Sequence, residues 1–268
     1  MKDTIIATIT YDNNKDEIRK RIVKSVEEWK DLGLEVVTSD GGSSDELLSE
    51  LRELDVNILL RHSIDVGVGI KQSVEWAAKD LDKMHSKILY CESDKSGNYG
   101  FKKDIEGIFK MLDRADIVVV GRTSDSMRSY PAFQQFTEKN LINRFYSDLI
   151  GDITGYYIQD FSYCTRAFRK SAAAYFTDCP YDNWAVMFES LIRAAKDGRK
   201  IVDRNVSITF PDTEEASSMK AYIYRIEQAN QITLVPFLDY FKRNDVSSAS
   251  SFLKKYSKLL QEYTTFTV

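Results

Sequence analysis

The first 121 residues alternate short apolar segments with amphipathic helical segments, and this alternation constrains the fold more than any other feature of the chain. Five short aliphatic runs are predicted to be strands: 5–9, 34–38, 56–60, 88–91 and 117–120. Between them, apolar residues recur at helical spacing, as at 15–31, where Ile22, Val26 and Trp29 share one face. Strands alternating with helices predict an α/β fold, with a mixed, mainly parallel central sheet covered by helices on both faces.

Composition narrows the class of protein. The chain has 268 residues, of which 43% are hydrophobic and 29% charged, as in an ordinary globular domain with a small appendage. Its net charge of −4 gives no reason to expect a nucleic-acid partner. No apolar run reaches the length of about 18 residues that spans a bilayer, and the first residues lack the apolar core of a signal peptide. Three well-separated cysteines without histidine clusters indicate a reducing, cytoplasmic compartment and no structural zinc.

An acidic pair follows the fourth predicted strand. The segment KILYCESD runs from Lys87 to Asp94 and places Glu92, Ser93 and Asp94 directly after the apolar run. In open α/β sheets, ligands bind beyond the carboxyl ends of the strands, and hard cations prefer carboxylate and phosphate oxygens. We therefore predict that Glu92 and Asp94 hold a divalent cation against a phosphate group. A solvated turn stays open as the alternative, because the same residue types suit a loop.

Polar loops also follow the first two predicted strands. Residues 10–14 form a turn-rich cluster, and residues 39–45 contain two glycines that allow close approach of a ligand. Ser44 or Asp45 is predicted to cap the helix that begins there. Parallel strands bring all of these loops to the same edge of the sheet as the acidic pair.

The second half of the chain has a different character. We predict a long helix at 133–150, a short strand pair at 156–169 around Asp160, and a helix at 184–196 that carries the lone acid Glu189. A strand of alternating polarity follows at 201–210, and residues 211–219 have the composition of a mobile loop. Closing helices are predicted at 220–242 and 246–263.

Five segments, in order along the chain, carry a family resemblance. They are Ile9-Thr10-Tyr11-Asp12-Asn13, the loop 39–45, Glu92-Ser93-Asp94, the segment 160–170, and Phe210-Pro211-Asp212-Thr213 with Ser218-Met219-Lys220. Together they resemble the family-2 glycosyltransferases of the GT-A fold, and their motifs are most similar to those of the polyprenyl-phosphate (dolichol-phosphate) mannosyl- and glucosyltransferases. The sequence departs from the family pattern at Ser39, Glu92 and Thr213. The resemblance implies a GT-A domain at 1–220 and a helical extension packed on it at 221–268.

The resemblance implies a metal-dependent hexosyltransferase. Its donor would be a GDP- or UDP-linked sugar, its cofactor Mg²⁺ or Mn²⁺ at Glu92 and Asp94, and its outcome inversion. The residues implied to bind the donor nucleotide are Thr10, Tyr11, Asp12, Asn13, Asp40, Ser43, Lys71 and Ser93. Lys220 would act as a second cation on the leaving diphosphate.

The acceptor is left open between two classes. A hydroxyl acceptor, such as a polyol, a hydroxy acid or a glycan, needs a general base, for which Asp160 and Glu189 are the candidates. A phosphate acceptor, such as a polyprenyl phosphate at the inner face of the membrane, is already ionised and needs cations to position it. The candidate cations are Arg122, Arg128, Lys139, Arg144 and Arg166.

Two other functions remain open at this point. A nucleotidyltransferase uses carboxylates and a metal on a related sheet, but the turn after the first strand, 10–15, lacks the glycines of its phosphate loop. A catalytically silent nucleotide-sugar-binding protein is the other alternative, since Ser39 and Thr213 depart from the family pattern. The tail beyond residue 221 is predicted to form a helical cap on the core, with a homodimer contact as the alternative.

Overall fold

The predicted strands pair into one sheet with the acidic pair near its centre. The computed structural model describes residues 3–80, 86–96, 102–208 and 222–233. Within these ranges the sheet order is β3-β2-β1-β4-β6-β5-β7. The strands are β1 (Thr4–Thr10), β2 (Glu35–Asp40), β3 (Asn57–Leu60), β4 (Lys87–Tyr90), β5 (Ile117–Arg122), β6 (Thr165–Arg169) and β7 (Ile201–Val206). All neighbouring strands are parallel except β6, which is antiparallel to both β4 and β5.

Helices connect the strands and cover both faces of the sheet. They are α1 (Asp16–Asp31), α2 (Asp45–Glu53), α3 (Val66–Asp80), α4 (Ser93–Ser96), α5 (Lys102–Met111), α6 (Ser124–Arg128), α7 (Ala132–Phe136), α8 (Arg144–Thr154), α9 (Ala174–Thr177) and α10 (Val186–Lys196). Residues 222–233 are also helical, and we name them α11. A π-helical segment, Thr137–Asn143, joins α7 to α8. No helix within the described ranges is both long and apolar enough to cross a membrane.

The sheet separates two hydrophobic clusters. Along β4, Ile88 and Tyr90 point into one cluster with α3, α8 and α10, while Leu89 and Cys91 point into the other with α1, α2 and α5. Successive side chains of a strand face opposite sides, so a strand buried on both faces must be apolar throughout. Burying each large aliphatic side chain contributes about 1.5–3 kcal/mol, which is why continuous apolar runs mark the inner strands.

The prediction of five strands before residue 122 is confirmed, with bounds shifted by one or two residues. The predicted strand pair at 156–169 is wrong, because only Thr165–Arg169 is a strand. Asn143 explains the difference, since its side-chain oxygen accepts from the backbone amides of Phe161 (2.8 Å) and Ser162 (2.9 Å). Those amides are then unavailable to a second strand. The predicted helix at 133–150 exists, but with the π-helical segment inside it.

Several predictions concern residues outside the described ranges. The loop predicted at 211–219 and the closing helix at 246–263 lie there, as does Lys220. Within the described part, α11 agrees with the start of the helix predicted at 220–242. Ala229 and Ile232 of α11 belong to the same hydrophobic cluster as α8 and α10, and the Tyr146 hydroxyl of α8 hydrogen-bonds the Ile232 carbonyl.

Candidate active site

A pocket of about 200 Å³ opens where β1 and β4 end. Its charged and polar lining is formed by Thr10, Arg61, Glu92, Ser93, Asp94 and Lys95. Its aromatic lining is formed by Tyr11, Trp184 and Tyr224. The pocket therefore gathers residues from the ends of three strands, from the loop before α10 and from α11.

The acidic pair is held in place by the residue between its two members. Ser93 is fully buried, and its hydroxyl donates to the Ile9 carbonyl of β1 at 3.1 Å. Its own carbonyl accepts from the hydroxyl of Ser25 on α1. With Ser93 bonded to β1 and α1, Glu92 and Asp94 both line the pocket, and their predicted role as metal ligands remains a prediction. Ser93 itself anchors the turn, so its predicted contact with the donor remains a prediction.

Positive charges surround both acids. Glu92 is paired with Lys95, whose ammonium lies 5.6 Å from the centre of the Trp184 ring. Burial, together with the nearby positive charge of Arg225, lowers the pKa of Lys95 to about 8. Burial raises the pKa of Asp94, while Arg21 and Arg225 act in the opposite direction. The two acids thus sit in a partly enclosed site with cations on either side.

A divalent cation fits this pair of carboxylates. Both side chains offer hard oxygen ligands to one pocket, which is the donor type that Mg²⁺ and Mn²⁺ take. Among the described residues there is no cluster of three or more His, Cys, Asp or Glu side chains that would enclose an ion. The remaining ligands would therefore be phosphate oxygens and water, the arrangement usual for Mg²⁺ beside a substrate phosphate.

The predicted donor-binding loops are ordered by two buried carboxylates. Asp40 accepts from the Thr10 hydroxyl at 2.9 Å and from the backbone amides of Gly42 (2.9 Å) and Ser43 (3.0 Å). Asp12 accepts from the amide and the hydroxyl of Ser44. Burial alone would raise the pKa of Asp12, but the hydrogen bonds from Ser44 lower it overall. Asp12 and Asp40 therefore fix the backbone of the two loops. Any contact of these carboxylates with a nucleotide would come in addition to these hydrogen bonds.

The other predicted donor-binding residues divide into those available to a ligand, such as Tyr11 and Ser43, and Lys71, which lies away from the pocket. Tyr11 is half exposed at the pocket, and its hydroxyl donates to the Asn13 side chain at 3.2 Å. The buried hydroxyl of Ser43 has no hydrogen-bond partner within the described part of the chain, so it can serve a ligand. Lys71 is not brought to the pocket, because it pairs with Asp182 and donates to the Cys179 carbonyl at 3.2 Å.

Arg61 is a pocket residue that the sequence reasoning missed. It follows β3, and its guanidinium occupies the space above two glycines, so a Cβ atom on Gly69 would lie 1.5 Å from Nη1 and one on Gly41 2.5 Å from Nη2. Its Nε and Nη1 atoms are buried without a hydrogen-bond partner in the described residues. The signal available in the sequence was the pair Gly41 and Gly69, which lack the side chains that would fill the space of the guanidinium.

Asp160 and Arg122 bind each other. The Asp160 carboxylate accepts from Arg122 Nε at 2.8 Å, from Arg122 Nη2 at 3.0 Å and from Asn143 at 2.9 Å. Arg122 is also paired with Glu138 at 2.6 Å and lies 4.4 Å from the centre of the Tyr130 ring. Burial would raise the pKa of Asp160, but Arg122 outweighs it and holds the pKa at about 2. An ionised carboxylate with this many donors is a poor general base, and the Arg122 guanidinium is already paired with both Asp160 and Glu138.

The remaining predicted cations do not form one cluster, and none of them lines the pocket. Arg166 is fully buried and donates to the carbonyls of Thr165 (2.9 Å) and Phe161, and burial lowers its pKa to about 10. Arg128 is paired with Asp125 at the surface. Lys139 and Arg144 are exposed. The candidate base Glu189 is half-buried on α10 and lies outside the pocket lining.

Comparisons with known proteins identify the fold. No family model matches the chain, and no curated protein matches it. Among solved structures, it resembles glucosyl-3-phosphoglycerate synthase from Mycobacterium tuberculosis in complex with UDP, at a TM-score of 0.54 and 12% identity over 85% of this chain and 80% of that chain. The same enzyme with phosphoglyceric acid gives a TM-score of 0.56 and 13% identity over 85% and 79%. Its complex with Mn²⁺, UDP-glucose and phosphoglyceric acid gives 0.56 and 12% over 85% and 78%. This likeness confirms the predicted GT-A fold.

Proposed function

We propose that the chain is a metal-dependent glycosyltransferase that moves a hexose from a nucleotide-diphosphate sugar to an acceptor. The observation that carries the proposal is the pocket lined by Glu92, Asp94 and Arg61 at the carboxyl edge of the sheet, where Nε and Nη1 of Arg61 have no hydrogen-bond partner among the described residues. The solved enzyme of similar fold supports it, because its complexes hold UDP-glucose and Mn²⁺. For the same reason we propose a UDP-linked rather than a GDP-linked donor, with Mn²⁺ or Mg²⁺ as the cation.

Each residue of the pocket then has a part in holding the donor. Glu92 and Asp94 would hold the cation, which neutralises the charge that develops on the leaving diphosphate. The buried N–H groups of Arg61 would donate to phosphate oxygens, since a guanidinium matches them in geometry and charge. Tyr11 would pack on the base, and the loops ordered by Asp12 and Asp40 would contact base and ribose through Asn13 and Ser43. Lys220, beyond the described ranges, remains a proposed second cation.

The ionisation and hydrogen bonds of Asp160 bear on which class of acceptor the site can use. Because Asp160 is ionised and saturated with donors, we assign it a structural role at the edge of the site rather than that of general base. An acceptor whose own phosphate oxygen attacks the sugar needs no base. We therefore favour such an acceptor, either a polyprenyl phosphate or a small soluble phosphate compound. A hydroxyl acceptor would require Glu189 or a residue outside the described ranges. We propose a cytoplasmic reaction with inversion, carried out by a domain at 1–220 with the extension 221–268.

Calorimetry and sugar transfer test the proposal together. UDP should bind in the presence of Mn²⁺, and transfer from UDP-glucose should fall about 100-fold or more in Glu92→Ala and Asp94→Ala, because the cation supplies several kcal/mol. Glu106→Ala on α5, an exposed acid paired with Lys110 in the neighbouring turn, is the matched control. Full transfer by folded Glu92→Ala and Asp94→Ala proteins would refute the metal role. Lipid-phosphate and aqueous phosphorylated acceptors, assayed in parallel, separate the two acceptor classes.

A silent nucleotide-sugar-binding protein is the second candidate. Two observations favour it: Glu92 is already paired with Lys95, and Ser39, where the family motif has an acid, is bonded to Gln72 at 2.7 Å. This function predicts that UDP-glucose binds without being hydrolysed or transferred to either acceptor class. Turnover with any acceptor excludes it.

A further inference from the structure

Lys95 lies directly beside the acidic pair and neutralises one of its members. Its ammonium is bonded to the Glu92 carboxylate, and both side chains line the pocket. The Glu92 side chain is only 11% exposed and that of Lys95 is 35% exposed, so water screens this pair less than it screens a surface pair. An approaching divalent cation therefore meets a carboxylate that already has a counter-ion.

The surrounding contacts keep Lys95 in that position. The backbone amide of Lys95 donates to the Glu92 carbonyl at 3.2 Å, which closes the turn and returns the side chain toward Glu92. On the other side, the ammonium lies over the ring of Trp184, whose Nε1 donates to the Tyr224 hydroxyl of α11 at 3.3 Å. Cations gain further from such contact with an indole ring. Lys95 is thus placed by its own turn and by two other elements.

We propose that Lys95 is an internal counter-cation, which a divalent ion must displace from Glu92 and which then pairs with the diphosphate of the bound nucleotide. This inference deepens the proposed function and rests on it. In the protein alone, the ion's gain at Glu92 is offset by the loss of the Lys95 pair. When a nucleoside diphosphate is present, the displaced ammonium finds phosphate oxygens in the same pocket. Metal and nucleotide should therefore bind cooperatively, each raising the affinity for the other by the same factor.

Binding of Mn²⁺ to the full chain, followed by electron paramagnetic resonance of the free ion, tests the inference without any turnover. Without nucleotide, Lys95→Met should bind Mn²⁺ about tenfold more tightly than the wild type, because the competing partly buried charge is gone. Lys95→Arg keeps the charge and should bind Mn²⁺ no more tightly than the wild type. The matched control is Lys79→Met, which removes an exposed lysine also paired with a glutamate one turn away.

The coupling to nucleotide gives a second, independent readout. In the wild type and in Lys79→Met, Mn²⁺ should raise the affinity for UDP, measured by calorimetry, about tenfold more than it does in Lys95→Met. Equal Mn²⁺ affinities of wild type and folded Lys95→Met, with UDP binding intact, would overturn the role of Lys95 and leave the metal site standing. Loss of Mn²⁺ binding from a Lys95→Met chain that also carries Glu92→Gln would confirm that the ion binds at the acids. Failure of every variant to bind UDP, with or without Mn²⁺, would overturn the proposed function as well.

Discussion

Several donors converge on the buried carboxylate of Asp160, and three of them belong to Arg122: its backbone amide, Nε and Nη2. A carboxylate in such a setting is stabilised as the anion, and its partners would be left buried and unpaired without it. Asp160 therefore links β5, the π-helical segment and the segment before β6 through an ion pair and hydrogen bonds, not through apolar contact. These contacts support the structural role proposed for Asp160 at the edge of the sheet where the pocket opens.

The pH dependence of stability should reveal this role. We expect Asp160→Asn to lower the free energy of unfolding at pH 7 by about 3–5 kcal/mol, as when one partner of a buried ion pair is removed. Since the folded-state pKa of Asp160 is depressed to about 2, its contribution is complete above the ordinary aspartate pKa of about 4 and is lost as the pH falls toward 2. Urea unfolding of both proteins between pH 7 and pH 2 measures the difference, which should narrow over that window. The exposed Asp152→Asn variant should change stability by less than about 0.5 kcal/mol throughout.

For Arg61 we expect the opposite of the result for Asp160: its substitution should weaken UDP binding without lowering the stability of the fold. Because its Nε and Nη1 are buried without partners, Arg61→Met should leave the melting temperature unchanged or raise it, while UDP affinity falls about tenfold or more. Calorimetry and thermal unfolding of the same sample give both quantities. Arg52→Met, at an exposed position on α2, should alter neither. A loss of stability equal to the loss of affinity would show that Arg61 is a structural residue.

At the residue scale, the sequence predicts the positions of side chains that directly follow a strand better than the contacts of side chains that reach across the fold. Glu92 and Asp94 directly follow an apolar run, so their position at the edge of the sheet follows from strand direction alone. Arg61 also follows a strand, but its importance depends on the space above Gly41 and Gly69, which are distant in sequence. Likewise, the sequence alone does not reveal that Arg122 and Asp160 neutralise each other.

At the element scale, α11 joins the pocket to the core. Tyr224 near its start lines the pocket, while Ala229 and Ile232 pack into the cluster formed with α8 and α10. The sequence predicts a helix at 220–242 as a cap on the core, but it does not indicate which residues that helix covers. The failure at 156–164 has the same origin, since the amides there are taken by the distant side chain of Asn143.

The packing of α11 can be measured with two isoleucines of the same helix. Ile232 is 1% exposed, so Ile232→Ala should lower the free energy of unfolding by about 2–4 kcal/mol through lost burial and the cavity left behind. Ile223 is 52% exposed, and Ile223→Ala should change it by less than about 0.5 kcal/mol. Chemical denaturation of both variants provides the comparison. Equal effects would mean that α11 does not pack on the core in solution.

At the scale of the whole molecule, one sheet supports two hydrophobic clusters that share its strands. Ile88 and Leu89 are adjacent, fully buried and members of opposite clusters. We expect Ile88→Ala and Leu89→Ala each to lower the free energy of unfolding by about 2–5 kcal/mol. Both substitutions should lower the midpoint of a single unfolding transition, because the two layers cannot unfold separately without breaking the strands between them. Fluorescence of Trp29 and Trp184, one in each cluster, should follow the same curve; Leu60→Ala, on the exposed end of β3, is the control.

The reversed direction of β6 has a consequence for how this protein can diversify. Thr165 and Arg166 begin β6 beside the end of β4, with Tyr90 opposite Arg166, so the connection that precedes β6 arrives at the same rim as the acidic pair. Had β6 run parallel to β4, that connection would have ended on the far side of the sheet. The segment 123–164 therefore leaves β5 and enters β6 at this same rim, beside the acidic pair that follows β4. Substitutions within 123–164 can therefore change the surface beside the pocket without altering the strands whose ends carry Arg61, Glu92 and Asp94.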